Sequence, residues 1–185
     1  MSLTSNEKKI LLELAKDVVF RGLKENKRPN INAENYSGAL AEKKASFVTI
    51  YNNEKLCGCI GSIEPARSLV ADVAHNSYSA AFNDFRFKAV TLEDFENLSF
   101  HISVLSTLEK INFKSEPELF NKIQTGIDGI IIEAENRKAT FLPSVWESLS
   151  DKKQFFDELK KKAGLSQNFP AEKLKVFRYS VETIS

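Results

Sequence analysis

The sequence contains few of the residues that build metal and cofactor sites. Its 185 residues include two cysteines, two histidines, one tryptophan and one methionine. A structural zinc site needs four ligands whose spacing brings them together, and Cys57 and Cys59 are well separated in sequence from His75 and His101. The sequence therefore predicts no metal site and no cofactor.

An excess of charge of one sign and a long apolar run are also missing. Lys and Arg number 26 against 25 Asp and Glu, a net charge of +1, which argues against a dedicated nucleic-acid binder. No stretch approaches the roughly eighteen apolar residues that a membrane span needs. The N-terminal residues lack a long apolar block and a small-residue cleavage site, so they predict a helix and not a signal peptide. We expect a cytoplasmic protein without membrane or nucleic-acid partners, and its oligomeric state stays open.

Hydrophobic residues are abundant. They make up 42% of the chain and include 14 phenylalanines, enough for a packed core in a chain of this length. We expect one domain over residues 1–185, and a division into two subdomains around a cleft stays open.

Residues 47–63 predict the β-hairpin around which the rest of the chain is organised. Two β-rich runs flank an Asn-Asn-Glu turn at positions 52–54. Regular alternation along the second run would place Leu56 and Ile60 toward the core, as a pair.

The same alternation places Cys57 and Cys59 on the opposite face of that strand. Their Cα atoms would then be roughly 6.5–7 Å apart, at or beyond the upper limit for a disulfide. Gly58 could allow the local bend that a bridge requires, but a reducing cytoplasm favours free thiols. The small side chains on this face suit the close approach of a backbone, a helix or a ligand.

The remaining chain alternates between helical and strand patterns. Helices are expected from Ser5 to about Lys24, over 67–83, over 116–123 and from Asp151 to Gly164, and strands over 100–105, 130–132, 139–141 and 175–181. Because strands pair as hairpins between helices, the pattern predicts an α+β fold with a largely antiparallel or mixed sheet and packed helices.

These segments, in this order, resemble the AMMECR-type domain family, named for the chromosomal region of Alport syndrome, intellectual disability, midface hypoplasia and elliptocytosis. The family's signature is a Leu-Arg-Gly-Cys-Ile-Gly hexapeptide, matched here by Leu-Cys-Gly-Cys-Ile-Gly at residues 56–61. The matching segments are FVTI…LCGCIGSIEP, SAAFNDFRF, ISVLS, GIDGIIIE…TFLPSVWE, KKKAGL and YSVE.

The resemblance implies a two-lobed α+β fold with a cleft at the hexapeptide hairpin. It also implies partners among Memo-like and radical-SAM proteins, and it implies no particular reaction. Cys57 stands where the family usually has arginine, and Phe85 stands where its Asp-Pro-Arg-Phe-Pro-Pro segment has the first proline. If that arginine binds an anion, the contact is either lost here or supplied by Arg67 or Arg86.

Cys59 is the candidate nucleophile, with His75 as a candidate helper, and His101 and Arg86 are the other groups that could favour its thiolate. The alternative is a small buried residue that fills a tight hairpin–helix contact. The candidate ligand-binding residues are Gly58, Cys59, Gly61, Glu64, Asp84 and Arg86. Asp84 and Arg86 suit a pair that faces the cleft, and equally a local cap and salt bridge that fixes the turn.

Two functions follow from these residues. The first is a non-catalytic protein whose cleft binds a small anionic ligand or a protein partner, because small residues and Arg86 surround the hexapeptide without a recognisable acid–base pair. The alternative is a cysteine-dependent enzyme that uses Cys59 as its nucleophile.

Overall fold

The structure is a computed structural model that describes residues 2–185. Within these residues there are four α-helices and eight strands, joined by turns and short 3-10 helices. The helices are α1 (Ser5–Glu25), α2 (Leu69–Phe82), α3 (Glu116–Lys122) and α4 (Lys152–Lys162). The strands are β1 (Ser46–Asn52), β2 (Lys55–Gly61), β3 (Leu98–Leu105), β4 (Glu109–Ile111), β5 (Gly129–Ala134), β6 (Arg137–Phe141), β7 (Lys175–Tyr179) and β8 (Val181–Ile184).

The α+β fold class is confirmed. The strands form two four-stranded sheets, in the orders β2-β1-β3-β8 and β4-β7-β5-β6. The chain divides into two units, Met1–Leu105 with Glu182–Ser185, and Ser106–Val181. Each unit has its own cluster of buried apolar residues, so the helices and strands after the hairpin do not complete a single core.

In the first unit, α1 and α2 pack on one face of the β2-β1-β3-β8 sheet. Thr4 is the N-cap of α1, one residue before the predicted Ser5, and forms a capping box with Glu7. Leu11 and Val18 of α1 are fully buried against α2 and the sheet. The helix ends at Asn26, whose left-handed backbone (φ 52°) suits asparagine.

A β-bulge interrupts the alternation predicted for β2. Ile50 of β1 pairs with Gly58, but the next residue, Tyr51, pairs with Leu56, which leaves Cys57 as the extra residue. The predicted Leu56–Ile60 core pair is therefore wrong, because Leu56 is 40% exposed. Cys57 instead packs against the core cluster beside Ile60, and the two free cysteines do not share a face.

Helix α2 approaches β2 most closely at Gly58. A Cβ atom on Gly58 would lie 2.0 Å from the backbone oxygen of Ala80, a distance that no side chain can occupy. The close approach of a helix predicted for this strand is therefore real, but it occurs on the face opposite Cys59. Ala80 is buried at this contact, and other small residues of α2, such as Ala74 and Ala81, are also buried.

The second unit is organised around aromatic residues. Trp146 is 3% exposed, stacks on Phe155 with ring centroids 3.6 Å apart, and donates its indole N–H to the Asp128 carbonyl. Asp151 caps α4 through the N–H of Gln154, as predicted. Lys160 of α4 is buried and pairs with Glu116 at 3.3 Å.

Two features of the strand pattern were not predicted. Strand β4 has only three residues, too few for a periodic signal. The single closing strand predicted over 175–181 is two strands, β7 and β8, which belong to different sheets. Among residues 2–185, no helix is long and apolar enough to cross a membrane.

Replacement of Gly58 by alanine should lower the free energy of unfolding by about 3 kcal/mol or more, because the new methyl group meets backbone that cannot move aside. Gly61→Ala is the matched control. Its methyl group would meet the Phe47 ring, whose side chain can change rotamer whereas the Ala80 backbone cannot move, so a smaller loss is expected. Urea denaturation measures both values, and equal losses would contradict the assigned contact.

Candidate functional site

The Cys59 side chain lies on the sheet face opposite α2. Cys59 pairs with Thr49 of β1, and the Thr49 hydroxyl donates a hydrogen bond to its sulfur at 3.3 Å. Thr49 in turn pairs with His101 of β3, whose ring meets Tyr51 edge-on. Cys59, Thr49 and His101 thus form a row across three strands. Since adjacent strands are about 4.8 Å apart, His101 is roughly 10 Å from Cys59, beyond hydrogen-bond distance.

The turn after α2 holds the backbone of Cys59. The buried carboxylate of Asp84 accepts the Cys59 N–H at 2.9 Å, and Nη2 of Arg86 donates to the Cys59 carbonyl at 2.8 Å. Phe87 N–H donates to the Asp84 carbonyl, which closes a four-residue turn with Phe85 and Arg86 in the middle. This turn brings Asp84 and Arg86, two of the predicted site residues, into contact with the backbone of a third, Cys59.

Asp84 and Arg86 also bind each other in a side-on, bidentate ion pair. Nε and Nη2 of Arg86 donate to the two carboxylate oxygens at 2.9 and 2.7 Å. The hydrogen bond from Arg86, with the Cys59 N–H, holds the pKa of Asp84 well below its usual range against the opposing effect of burial. The same pairing with Asp84 raises the pKa of Arg86. The local salt bridge that the sequence allowed is therefore present.

Part of the Arg86 guanidinium stays available. Its side chain is 50% exposed and its carbon lies 5.4 Å from the centre of the Phe87 ring. Among the residues that the structure describes, Nη1 has no hydrogen-bond partner. Phe85, at the apex of the same turn, is 95% exposed. The turn therefore presents a fixed arginine and an uncovered aromatic ring beside β2.

His75 is not brought to Cys59. It lies on α2, where its Nδ1 contacts Nη1 of Arg28. Burial lowers the pKa of His75, and the positive charges of Arg67 and Arg28 lower it further. The structure thus places the two predicted catalytic side chains in separate surroundings.

The predicted glycine contacts are with protein groups. Gly58 faces the α2 backbone, and the Phe47 ring covers Gly61, whose Cβ would lie 2.2 Å from it. Glu64 is exposed in the segment after β2, where its carbonyl accepts the Ala66 N–H.

A buried polar cluster at the other end of the hairpin was not predicted. The carboxylate of Asp72, which is fully buried, accepts hydrogen bonds from Ser46, Ser62 and Asn76, and from Nη1 of Arg67 at 3.1 Å. It thereby ties α2 to the start of β1 and the end of β2. The available signal was the spacing of Asp72 and Asn76, which stand one helical turn apart on an otherwise small and apolar helix.

A surface groove of about 520 Å³ in the first unit lies away from these residues. It follows α1 and the last residues of the chain, and it is lined in part by Lys8, Leu12, Lys16 and Ile184. None of the predicted site residues lines it, so the cleft at the hexapeptide stays a prediction.

Cys59 is surrounded by hydrogen-bond donors, the Thr49 hydroxyl and the Arg86 guanidinium, and Asp84 holds the guanidinium in place. The thiol has one hydroxyl partner, and the nearby guanidinium is largely neutralised by Asp84. No group of three or more histidine, cysteine or acidic side chains within residues 2–185 is arranged to hold a metal ion. The arrangement suits recognition of a polar or anionic group more directly than acid–base catalysis.

The chain is similar to known proteins over nearly its whole length. A sequence model of the family described as AMMECR1 matches residues 12–184. Protein MJ0810 of Methanocaldococcus jannaschii is 33% identical over 80% of this chain and 76% of its own, and a protein of Thermofilum pendens is 31% identical over 97% and 90%. The crystal structure of the uncharacterized protein PH0010 from Pyrococcus horikoshii matches with a TM-score of 0.84 and 31% identity, over 95% of this chain and 89% of that one.

Replacement of Asp84 by asparagine should lower the free energy of unfolding by about 2–3 kcal/mol at pH 7, because Arg86 loses its charged partner. The low pKa of Asp84 stabilises the fold above the value of an unfolded aspartate, about 4, and this contribution is lost as the pH falls further. The difference between wild type and variant should therefore narrow below about pH 4 in urea denaturation.

Asp94→Asn is the control for this measurement. Asp94 accepts comparable bonds from Thr91 and Asn52 but is less buried, and a loss of about 1 kcal/mol is expected. If the difference in free energy of unfolding between wild type and Asp84→Asn stays constant from pH 7 to pH 2.5, the role given to this carboxylate is contradicted.

Proposed function

We propose that this chain, which belongs to the AMMECR1 family, is a non-catalytic binding protein whose site lies beside the hexapeptide strand β2. The ligand is a small carboxylate-bearing molecule or a carboxylate on a protein partner. The observation that carries the proposal is the fixed, half-exposed Arg86, whose outward Nη1 lies next to the strand segment that contains Cys59.

The support comes first from the way Arg86 is held. Asp84 occupies Nε and Nη2, so the guanidinium loses little further conformational freedom when Nη1 binds a ligand oxygen. The Asp84 carboxylate also offsets most of the arginine charge. We therefore expect millimolar affinity for a simple carboxylate, and tighter binding only for a ligand that makes additional contacts.

Exposed Phe85 supports a ligand larger than a single anion. Aromatic and arginine side chains are enriched at the centres of protein interfaces, and here Phe85 and Arg86 share one rigid turn. Partnership with Memo-like or radical-SAM proteins and a cytoplasmic location are part of this proposal.

The alternative function, catalysis by Cys59, has weaker support. The contact that the structure gives its sulfur is a threonine hydroxyl, His75 is engaged by Arg28, and His101 is two strands away. A thiolate nucleophile needs a base or a net positive field nearby, and the positive charge next to Cys59, on Arg86, is offset by its bidentate pair with Asp84.

Alkylation of Cys59 separates the two functions. In a Cys57→Ser background, iodoacetamide at pH 7 should label the folded protein no faster than the urea-unfolded chain, since no base activates the thiol. Mass spectrometry follows the reaction. Labelling of the folded protein more than tenfold faster would favour the enzyme.

Binding is tested directly with acetate and succinate as probes, in calorimetric and NMR titrations. Asp84→Asn/Arg86→Gln, which removes both charges together, should weaken succinate binding at least fivefold, because it deletes the outward donor. Cys59→Ser should change the affinity by less than twofold.

Arg178→Gln is the matched control, because Arg178 is a partly exposed arginine paired with Glu109 in the second unit. Melting temperatures verify that each variant folds. Undiminished succinate binding by the double variant would disprove a site built on Arg86.

A further inference from the structure

Three groups that carry or can acquire positive charge converge near the start of α2. Arg28 lies in the segment after α1, Arg67 precedes the helix, and His75 is two turns into it. Arg28 contacts the His75 ring, and the charge of Arg67 acts on the same ring. Because a guanidinium can only donate, Nδ1 of His75 accepts this contact from Arg28 as a neutral ring, and Arg67 is already paired with Asp72. Arg28 is therefore the cation of this cluster that has no carboxylate partner among residues 2–185.

The donors in this cluster are incompletely used. Arg67 gives one nitrogen, Nη1, to Asp72, while its Nε and Nη2 have no partner among the described residues. Arg28 pairs with no carboxylate in the described chain, and its one contact is His75. Several guanidinium N–H groups are therefore free to bind the oxygens of one ligand.

The backbone beneath these side chains also favours an anion. Ser68 is the N-cap of α2, but its hydroxyl makes no capping hydrogen bond. The Leu69 N–H donates to Glu42, whereas the N–H of Ala71, in the first turn, has no acceptor among residues 2–185. His75 stands one helical turn after Ala71, and Arg67 lies just before the helix, ahead of the N-cap Ser68.

We propose that Arg28, Arg67 and His75, with the first turn of α2, form a binding site for a tetrahedral dianion such as a sulfate or phosphate monoester group. This site is separate from the one proposed at Arg86. Guanidinium groups match the oxygens of such anions in geometry, and the helix N-terminus adds partial positive charge.

His75 makes the site dependent on pH. The charged groups around its ring are Arg28, Arg67 and the buried Asp72, and the adjoining segment carries Glu42, Lys43 and Lys44. In the free protein these arginines oppose protonation of the ring. A bound dianion favours the imidazolium, so binding should strengthen as the pH falls through the range in which histidine titrates.

Sulfate is the first probe, because it remains a dianion between pH 6 and pH 8. Calorimetry gives its affinity, and NMR shifts of the Ala71 and His75 amides locate it. Arg28→Gln should weaken binding at least fivefold, and this variant leaves the core untouched because Arg28 is exposed. Arg21→Gln is the control, an exposed arginine on α1 that is paired with acidic neighbours, and it should change the affinity less than 1.5-fold.

The pH series tests the role of His75. Wild type should bind sulfate at least threefold more tightly at pH 6 than at pH 8, whereas His75→Gln should bind with equal affinity at both. Methyl phosphate at pH 8 should give the same pattern of amide shifts, and acetate should bind at least tenfold more weakly than sulfate.

The proposal is overturned if Arg28→Gln binds sulfate like wild type, if the shifts fall on the Lys8–Lys16 groove, or if acetate shifts the Ala71 and His75 amides at concentrations as low as sulfate does. Asp84→Asn/Arg86→Gln separates the two sites. If this double variant loses sulfate binding and Arg28→Gln does not, the sulfate binds at the Arg86 site. If succinate fails to bind at the Arg86 site, the sulfate site at Arg28, Arg67 and His75 is unaffected.

Discussion

The close approach of α2 to β2 at Gly58 is the constraint on which the site depends. With no side chain at position 58, the Ala80 carbonyl packs directly onto the strand, and the helix ends two residues later at Phe82. The following turn is then near enough for Asp84 to accept the Cys59 N–H. A larger residue at position 58 would move the helix outward and take this carboxylate with it.

Two buried carboxylates hold α2 to the hairpin, one near each end of the helix. Asp72 binds Ser46 and Ser62, while Asp84 binds the Cys59 backbone. Each is also paired with a partly exposed arginine, Arg67 or Arg86, which supplies the charge that a buried carboxylate needs. Each arginine therefore uses some guanidinium nitrogens to bind its buried carboxylate and keeps others exposed, where a ligand could bind.

The sequence allowed most elements to be predicted, because helix caps, glycine turns and apolar periodicity are local signals. The Asp151 cap and the 53–54 turn illustrate this, and the start of α1 was predicted to within one residue. The predictions failed where geometry depends on a neighbouring strand or helix. The bulge at Cys57 arises from pairing with Tyr51, and nothing in the local alternation indicates it.

The candidate site stays a prediction, and the structure brings together part of the residues named for it. Cys59, Asp84 and Arg86 were named from motifs, and they do lie together. Their mutual contacts depend on where α2 ends in space. Asp72 escaped notice because a single acidic residue on a helix usually faces water. The contact of His75 with Arg28, 47 residues away in the chain, has no local signal in the sequence.

The position of β2 at the edge of its sheet gives the turn after α2 a further consequence. An edge strand exposes backbone groups that can recruit another chain and start aggregation. At Cys59 both of these groups are already bound, the N–H by Asp84 and the carbonyl by Arg86, and the bulge at Cys57 disrupts the flat edge two residues earlier. One short turn therefore occupies the edge backbone groups of Cys59 that could pair with another chain, while the Cys59 side chain stays partly exposed.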